Sequence, residues 1–265
     1  MPPHGIIFLV SSGSGSVDKC FRFLFYCALC ISPSVTLFAD DSGVEVAPEV
    51  YAAQEAAASA TNYGQTLCDQ PEYYCRKVGK DDTWYTLFPD FQQRETVMRL
   101  NRTNVALVYR NWIVVPKDFT KTTYMDMSPL PKHMNTHEKK LVYISLSRFA
   151  FGAYNAKGNL LYWGPVSSGR KKCYDSDGDC STAIGKFRVF RSEGKDCISH
   201  EFPLETHGGD PMPYCMYFHG GAAMHYSTLS GFINRSAGCV RLFKSDAKWL
   251  NQEFVQLGTE VVVAK

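Results

Sequence analysis

From Tyr73 onward the spacing of apolar and polar positions changes repeatedly, and each change marks a short element. Residues 73–78 read as a strand. Asp82 or Thr83 caps a short helix carrying Trp84, Leu87 and Phe88. Pro89 opens a new segment, and a second helix ends at Val97, Leu100 and Asn101. Trp112–Pro116 is a strand stopped by its proline. Residues 119–137 carry Pro129, Pro131 and scattered polar residues with little periodicity, and read as a linker. Beyond it, residues 141–146 are an apolar strand, and residues 149–163 a hairpin turning at Asn155, Ala156, Lys157 and Gly158. Gly164 and Pro165 break that strand, and residues 187–190 begin another. Ser245 caps a helix with the stripe Ala247, Leu250, Phe254 and Leu257. Gly258 closes it, and residues 261–263 are a last strand. The predicted class is α+β. A small β-α-α-β domain over 67–118 precedes a mainly β domain over 138–265.

The first quarter of the chain reads differently. Lys19 and Arg22 precede an apolar run, followed by Ser32, Pro33, Ser34 and a small residue at Ala39, which is the pattern of an export signal over 1–39. The uncharged stretch 23–38 is short for a membrane span of about 20 residues, so no stable span is expected after cleavage. The Ser/Gly run before the basic residues does not belong to a signal, which suggests that translation starts at Val17. Residues 40–66 read as a tether or a weak helix. The signal predicts an exported protein of the periplasm or cell envelope, or a secreted one. The net charge of +2 over 265 residues gives no electrostatic case for nucleic acid.

The stretch from Tyr217 to Leu242 carries the candidate chemistry. Cys239 lies in Ser236-Ala237-Gly238-Cys239-Val240-Arg241, and His225 ends a small-residue apolar segment. A thiol is nucleophilic as a thiolate, and an imidazole across a loop is a suitable proton acceptor. Gly238 permits a tight turn, from which the Gly238 and Cys239 amides are expected to face a developing oxyanion. The pattern resembles the YkuD family of L,D-transpeptidases, with a His-Gly pair, a loop, and Ser/Thr-His-Gly-Cys followed by an apolar residue and Arg. The Met212-Pro213-Tyr214 run is also similar to the family's, as is Thr182-Ala183-Ile184-Gly185-Lys186-Phe187 with Ala183 in place of Pro. The resemblance covers 138–265. It implies Cys239 as nucleophile, His225 as base with its imidazole oriented through the next residue's carbonyl, and Gly238, Ser236 and Arg241 in support. Tyr214, His219 and Tyr226 are the candidate substrate-binding residues. Tyr226 replaces the family's Gly and Ala237 its His, which leaves a weakened or inactive enzyme as an alternative.

Residues 67–118 resemble the LysM module, which binds the glycan of peptidoglycan and chitin. Asp82-Thr83, Asn101 and the closing strand from Ile113 to Pro116 carry that likeness, while Asp81, Arg110 and Asn111 depart from it. The whole arrangement also resembles the group called enhanced entry proteins, which links it to host-cell invasion by analogy alone. The implied function is a peptidoglycan L,D-transpeptidase that crosslinks stem peptides through a thioester, with no cofactor. An L,D-carboxypeptidase using the same site, and a catalytically weak peptidoglycan-binding protein, are the alternatives. Peptidoglycan stem peptides and glycan strands are the implied partners.

Export also bears on the cysteines. Of ten, Cys20, Cys27 and Cys30 leave with the signal, and an odd number remains. Cys68 with Cys75 and Cys173 with Cys180 share one spacing, and Cys197 and Cys215 flank a Gly/Pro-rich segment, which leaves Cys239 free. Sequence does not fix connectivity, and pairings that leave another thiol free stay open. The Asp175-to-Asp179 run resembles the start of a calcium loop, but Lys186 stands where a bidentate Glu is needed, so it reads as a solvated acidic turn. His219 is an alternative base or a cleft-lining residue. His207 and Asp210 with His219 or His225 lack any recognised zinc spacing, so no metal is expected.

Overall fold

The computed structural model describes residues 63–174 and 177–265. The expected signal and most of the 40–66 tether therefore lie outside the described residues, as do Asp175 and Ser176 of the acidic turn. Among the described residues no helix is long and apolar enough to cross a membrane.

A short helix α1 (Tyr63–Thr66) leads into β1 (Tyr73–Lys77), α2 (Trp84–Leu87), α3 (Phe91–Leu100) and β2 (Trp112–Pro116). Thr83 caps α2 through a reciprocal hydrogen bond with Thr86, and Asp90 caps α3 by accepting from the Gln93 amide. β1 and β2 pair antiparallel, Tyr73 opposite Pro116. Asn101 ties the helix end to β2: its amide donates to the Val97 and Val114 carbonyls, and its oxygen accepts from the Val114 N–H. Trp84, Phe88, Val97, Leu107, Ile113 and Val115 form a small core of their own.

The remaining strands are β3 (Leu141–Ser145), β4 (Ala150–Tyr154), β5 (Leu160–Ser167), β6 (Gly185–Arg188), β7 (Arg191–Ser192), β8 (Met216–His219), β9 (Ala222–Tyr226), β10 (Val240–Leu242) and β11 (Glu260–Ala264), with helix α4 (Lys244–Trp249) before the last. They form a nine-stranded sheet in the order β6-β11-β3-β4-β5-β10-β9-β8-β7. The sheet curls until its edges meet. Val189 donates to the Thr259 carbonyl on one side of the β6–β7 bend, and Phe190 donates to Tyr217 on the other. Phe187 packs on Phe218 across that junction.

Both faces of the central strands are covered, which explains their unbroken apolar runs. On β3, Val142 and Ile144 enter the core inside the curl, under α4 and Phe254. Leu141 and Tyr143 enter a second core on the outer face, filled by Leu67, Leu100, Val114, Met127, Leu130 and Met134. The 119–137 segment, expected as a linker, thus buries Met127, Leu130 and Met134 against the sheet.

Two expectations fail because of contacts made far along the chain. β5 continues through Gly164 and Pro165 rather than breaking there. A Cβ at Gly164 would lie 2.3 Å from the Asp246 carboxylate, so the glycine makes room for that side chain. Pro165 comes just past the Leu242–Val166 pair where the β10 ladder ends, so its missing N–H costs no ladder bond on that side. Ser245 does not cap α4. Phe243 occupies the N-cap without a side-chain bond, and Ser245 bonds Arg99 instead. The helix ends in a π turn over Leu250–Phe254, and Leu257 is exposed rather than part of the buried stripe.

Candidate active site

β9 and β10 lie side by side and parallel, Arg241 opposite His225 and Val240 opposite Met224. Successive strand residues face opposite sides. Met224, Val240 and Leu242 enter the core, so His225 and Arg241 face the other way, into a cleft of about 820 Å³. Cys239, one residue before β10, lines the same cleft with Ser236, Ala237 and Tyr226. A smaller recess of about 370 Å³ reaches Cys239 from the side of the Cys173–Cys180 loop and touches Gly238.

Three disulfides form, Cys68–Cys75, Cys173–Cys180 and Cys197–Cys215, and Cys239 keeps its thiol. The sulfur packs beside Cys197, Met212, Cys215, Tyr217 and Ala223, and lies 3.9 Å from the Gly221 carbonyl. Burial pushes its pKa up, while an Ala223 backbone hydrogen bond and Arg241 pull the other way. His225 is buried, with Nδ1 at 3.0 Å from the Tyr226 carbonyl. A carbonyl only accepts, so Nδ1 carries the proton and Nε2 keeps its lone pair. Burial is the main cause of lowering its pKa to about 4, with Arg241 adding to it and the Tyr226 bond opposing it. Burial therefore disfavours the charged form of each group.

The turn before Cys239 is held from several sides. The Ser236 amide donates to the Ser168 carbonyl at 3.0 Å, and the Arg170 amide donates to Ser236 at 3.1 Å. The Ser236 hydroxyl donates to the Cys239 carbonyl. Thr182 Oγ1 donates to the Gly238 carbonyl at 2.8 Å. Gly238 has φ of +119°, a region that favours glycine. Its amide donates to Ser236 Oγ at 3.1 Å. That corrects the expected pair of oxyanion donors: the Gly238 N–H is engaged inside the turn, while no described residue accepts from the Cys239 amide.

Two expected substrate-binding residues lie elsewhere. Tyr214, at φ of +60°, is buried in the main core and is not among the residues lining the cleft. His219 is exposed at the end of β8 and packs on the Phe187 ring at 4.7 Å, because a bulge follows Tyr217 and shifts its register. Conversely, Arg170, Ser199, Glu201 and Phe202 line the cleft without standing out in the sequence, and Asp210, weighed there only as a metal ligand, lines it too. The signal available was the Gly/Pro-rich segment between Cys197 and Cys215, whose bridge fixes that wall. Arg241 is half-buried and, among the described residues, has no hydrogen-bond or ion-pair partner. Burial, then Arg170, lower its pKa. Glu193 approaches Cys197 and Cys215, but those sulfurs are bonded to each other and offer no thiolate to a metal.

No curated protein matches the chain. Solved structures do, at low identity. An L,D-transpeptidase from Xylanimonas cellulosilytica is 25% identical over 51% of this chain and 64% of its own, with a TM-score of 0.43. One from Mycobacterium smegmatis is 20% identical over 48% and 59%, with a TM-score of 0.39. The Mycobacterium tuberculosis L,D-transpeptidase 3, solved with a faropenem-derived adduct, is 18% identical over 58% and 74%, with a TM-score of 0.39. The chain thus spans less than two thirds of the length of the first two. The stretch that holds the whole cleft, residues 139–263, matches the family model of YkuD, the L,D-transpeptidase catalytic domain.

Proposed function

We propose that the chain is an exported peptidoglycan L,D-transpeptidase with Cys239 as nucleophile. One observation carries the reading: the free thiol shares a cleft with a buried imidazole whose Tyr226 hydrogen bond leaves Nε2 unprotonated. In the proposed first step Cys239 Sγ attacks the carbonyl joining the L-centre of diaminopimelate to a terminal D-alanine. His225 Nε2 takes the thiol proton and gives it to the leaving amine, so a thioester forms and D-alanine departs. The unengaged Cys239 amide is the candidate oxyanion donor, a contribution of about 3 kcal/mol in comparable sites. The amine of a second stem then attacks the thioester, and its proton returns through His225 to the departing sulfur. The Arg241 guanidinium, unpartnered in the cleft, suits a stem-peptide carboxylate.

The cleft reaches Cys239 from two sides, which leaves room for a second stem beside the first. The β-α-α-β order of residues 73–116 supports a LysM-like role in holding the enzyme on its polymer, which raises the local substrate concentration. Three disulfides support an oxidising, exported location.

The test is acylation by a carbapenem followed by intact mass. One adduct is expected, and it disappears in Cys239→Ala. On sacculi, new diaminopimelate–diaminopimelate dimers mark a transpeptidase and shortened stems alone a carboxypeptidase. Binding to sacculi without any adduct sinks the enzymatic reading and leaves a binding protein.

A further inference from the structure

The connection between β9 and β10 depends on the first module of the chain. Parallel neighbours need a long crossover, usually a helix laid on the sheet. Here residues 227–239 make the crossover with no helix. Buried backbone groups must still find partners. The far half finds them near Ser167 and Ser168: Ser167 Oγ donates to the Ile233 carbonyl at 2.8 Å, and the Ser236 amide donates to Ser168.

The near half finds them on the turn that follows α3. Thr103 and Ser230 form an isolated antiparallel bridge. The Gly231 amide donates to the Arg102 carbonyl at 3.0 Å, and the Asn104 amide N–H donates to the Leu229 carbonyl at 3.2 Å. Arg110 Nη1 donates to the Ser230 carbonyl at 3.0 Å. It lies where a Cβ on residue 231 would stand, at 1.8 Å, so this contact requires Gly231. The Asn104 side chain does the work of another strand residue: Nδ2 donates to the Ser227 carbonyl at 3.1 Å and Oδ1 accepts from the Leu229 N–H at 2.8 Å. Ser227 directly follows Tyr226, whose carbonyl orients His225, and Ser227 itself lines the cleft.

We propose that Asn104 is a positioning residue for the Cys239–His225 pair, gripping the crossover at Ser227 and Leu229 and so fixing the Tyr226 carbonyl that sets the imidazole. The first module then serves the chemistry directly, in addition to any hold on polymer. This rests on the transpeptidase reading for its acylation assay but not for its thiol assay. A loosened crossover misplaces the imidazole by a fraction of an ångström to an ångström, and such shifts cost up to about a hundredfold in rate.

The test compares the full-length wild type, Asn104→Ala and Asn104→Asp at 25 °C, each with its thermal midpoint. One assay is the rate of carbapenem acylation. The other is the pH profile of Cys239 alkylation by iodoacetamide, which reads the thiol and its imidazole without any peptidoglycan chemistry. Asn104→Ala is expected to lose about tenfold or more in acylation and to change the shape of the alkylation profile. Asn104→Asp keeps the acceptor for Leu229 but loses the donor to Ser227, so its effect is expected to be intermediate. Wild-type rates and profile in Asn104→Ala, with only a lower midpoint, overturn the proposal. If the wild type takes no carbapenem, the transpeptidase reading fails, and the alkylation profile alone decides Asn104. If the alanine variant does not fold, the aspartate variant decides by the same two readouts.

Discussion

Two of the arginines that sit half or fully inside the protein, Arg99 and Arg241, are treated in opposite ways. Arg99, on α3, is buried and engaged throughout. It donates to both oxygens of the fully buried Asp246 at 2.9 and 2.6 Å and to Ser245 Oγ at 2.9 Å. Tyr162 adds a 2.7 Å bond to the same carboxylate and stacks on Trp249. Burial works against the Arg99 charge, but the Asp246 carboxylate, by charge and hydrogen bonding, with help from the tyrosines, raises its pKa overall. Arg241, on β10, has no such partner among the described residues, and beside it the His225 imidazole holds one hydrogen bond, to the Tyr226 carbonyl. A saturated buried pair is committed to the fold, since breaking it strands a charge. An under-satisfied set of polar groups in a cleft has capacity left for a ligand. The difference separates the joint that fastens α3 to α4 from the candidate site, whose polar groups keep capacity for a ligand.

The sharpest way to probe the second region is His225→Gln, which keeps a hydrogen-bonding side chain of similar reach but removes the proposed base. Carbapenem acylation is expected to fall by about 10² to 10⁴, the usual worth of a positioned general base. The same variant checks the sign of the pH response. In the fold His225 resists protonation down to about 4, whereas its ordinary value is 6.5. The unfolded chain therefore takes the proton first as pH falls. Stability from this residue is intact above about 6.5, declines between there and about 4, and is reduced by about 3 kcal/mol below that. The acid-side loss of stability between pH 7 and 4, measured by urea melts, should be smaller in His225→Gln by that amount. Equal losses would mean the imidazole titrates normally and the cleft is wetter than its geometry implies.

The comparison breaks in the other direction at Asp246→Ala. Truncating one member of a buried ion pair leaves Arg99 uncompensated, and about 3–5 kcal/mol of stability is expected to go. Carbapenem acylation by the protein that remains folded should stay within a few-fold of wild type, because nothing in this cluster lines the cleft. A small stability change would show that the α3–α4 joint is not held by this pair.

These two regions were unequally legible in the sequence. Cys239 and His225 lie close along the chain, and the residue types at that spacing have few other uses together. Arg99 and Asp246 are 147 positions apart, and neither stands out locally. Their meeting also explains why Gly164 looked like a break: its missing side chain is the space that Asp246 fills, a long-range fact that no window on β5 contains. The strand periods were readable because each strand's own residues set them. Both-face burial was visible in the apolar run 141–144, while the curl that brings Phe187 to Phe218 was not. Tyr214 and His219 lie close to the cleft residues in sequence, but the fold buries the first in the main core and, with a bulge after Tyr217, sets the second on Phe187.

The smallest expected effect comes from Gly238→Ala, and it tests whether the turn before the thiol is set by backbone geometry alone. A Cβ at this position meets nothing within 4 Å, so no clash opposes the substitution. The φ of +119° does oppose it, since an L-residue pays about 1–3 kcal/mol to stay there. Relaxation toward negative φ would break two bonds at once: the Gly238 amide to Ser236, and the Thr182 hydroxyl to the Gly238 carbonyl. The Cys239 amide, one bond further on, would swing with it. A stability loss of about 1 kcal/mol with unchanged acylation means that the turn holds against the strain. A fall in acylation larger than that stability loss accounts for means that the turn relaxes and the oxyanion donor moves. Either outcome separates the cleft from the Arg99–Asp246 joint, where side-chain charge rather than one glycine's torsion keeps the geometry.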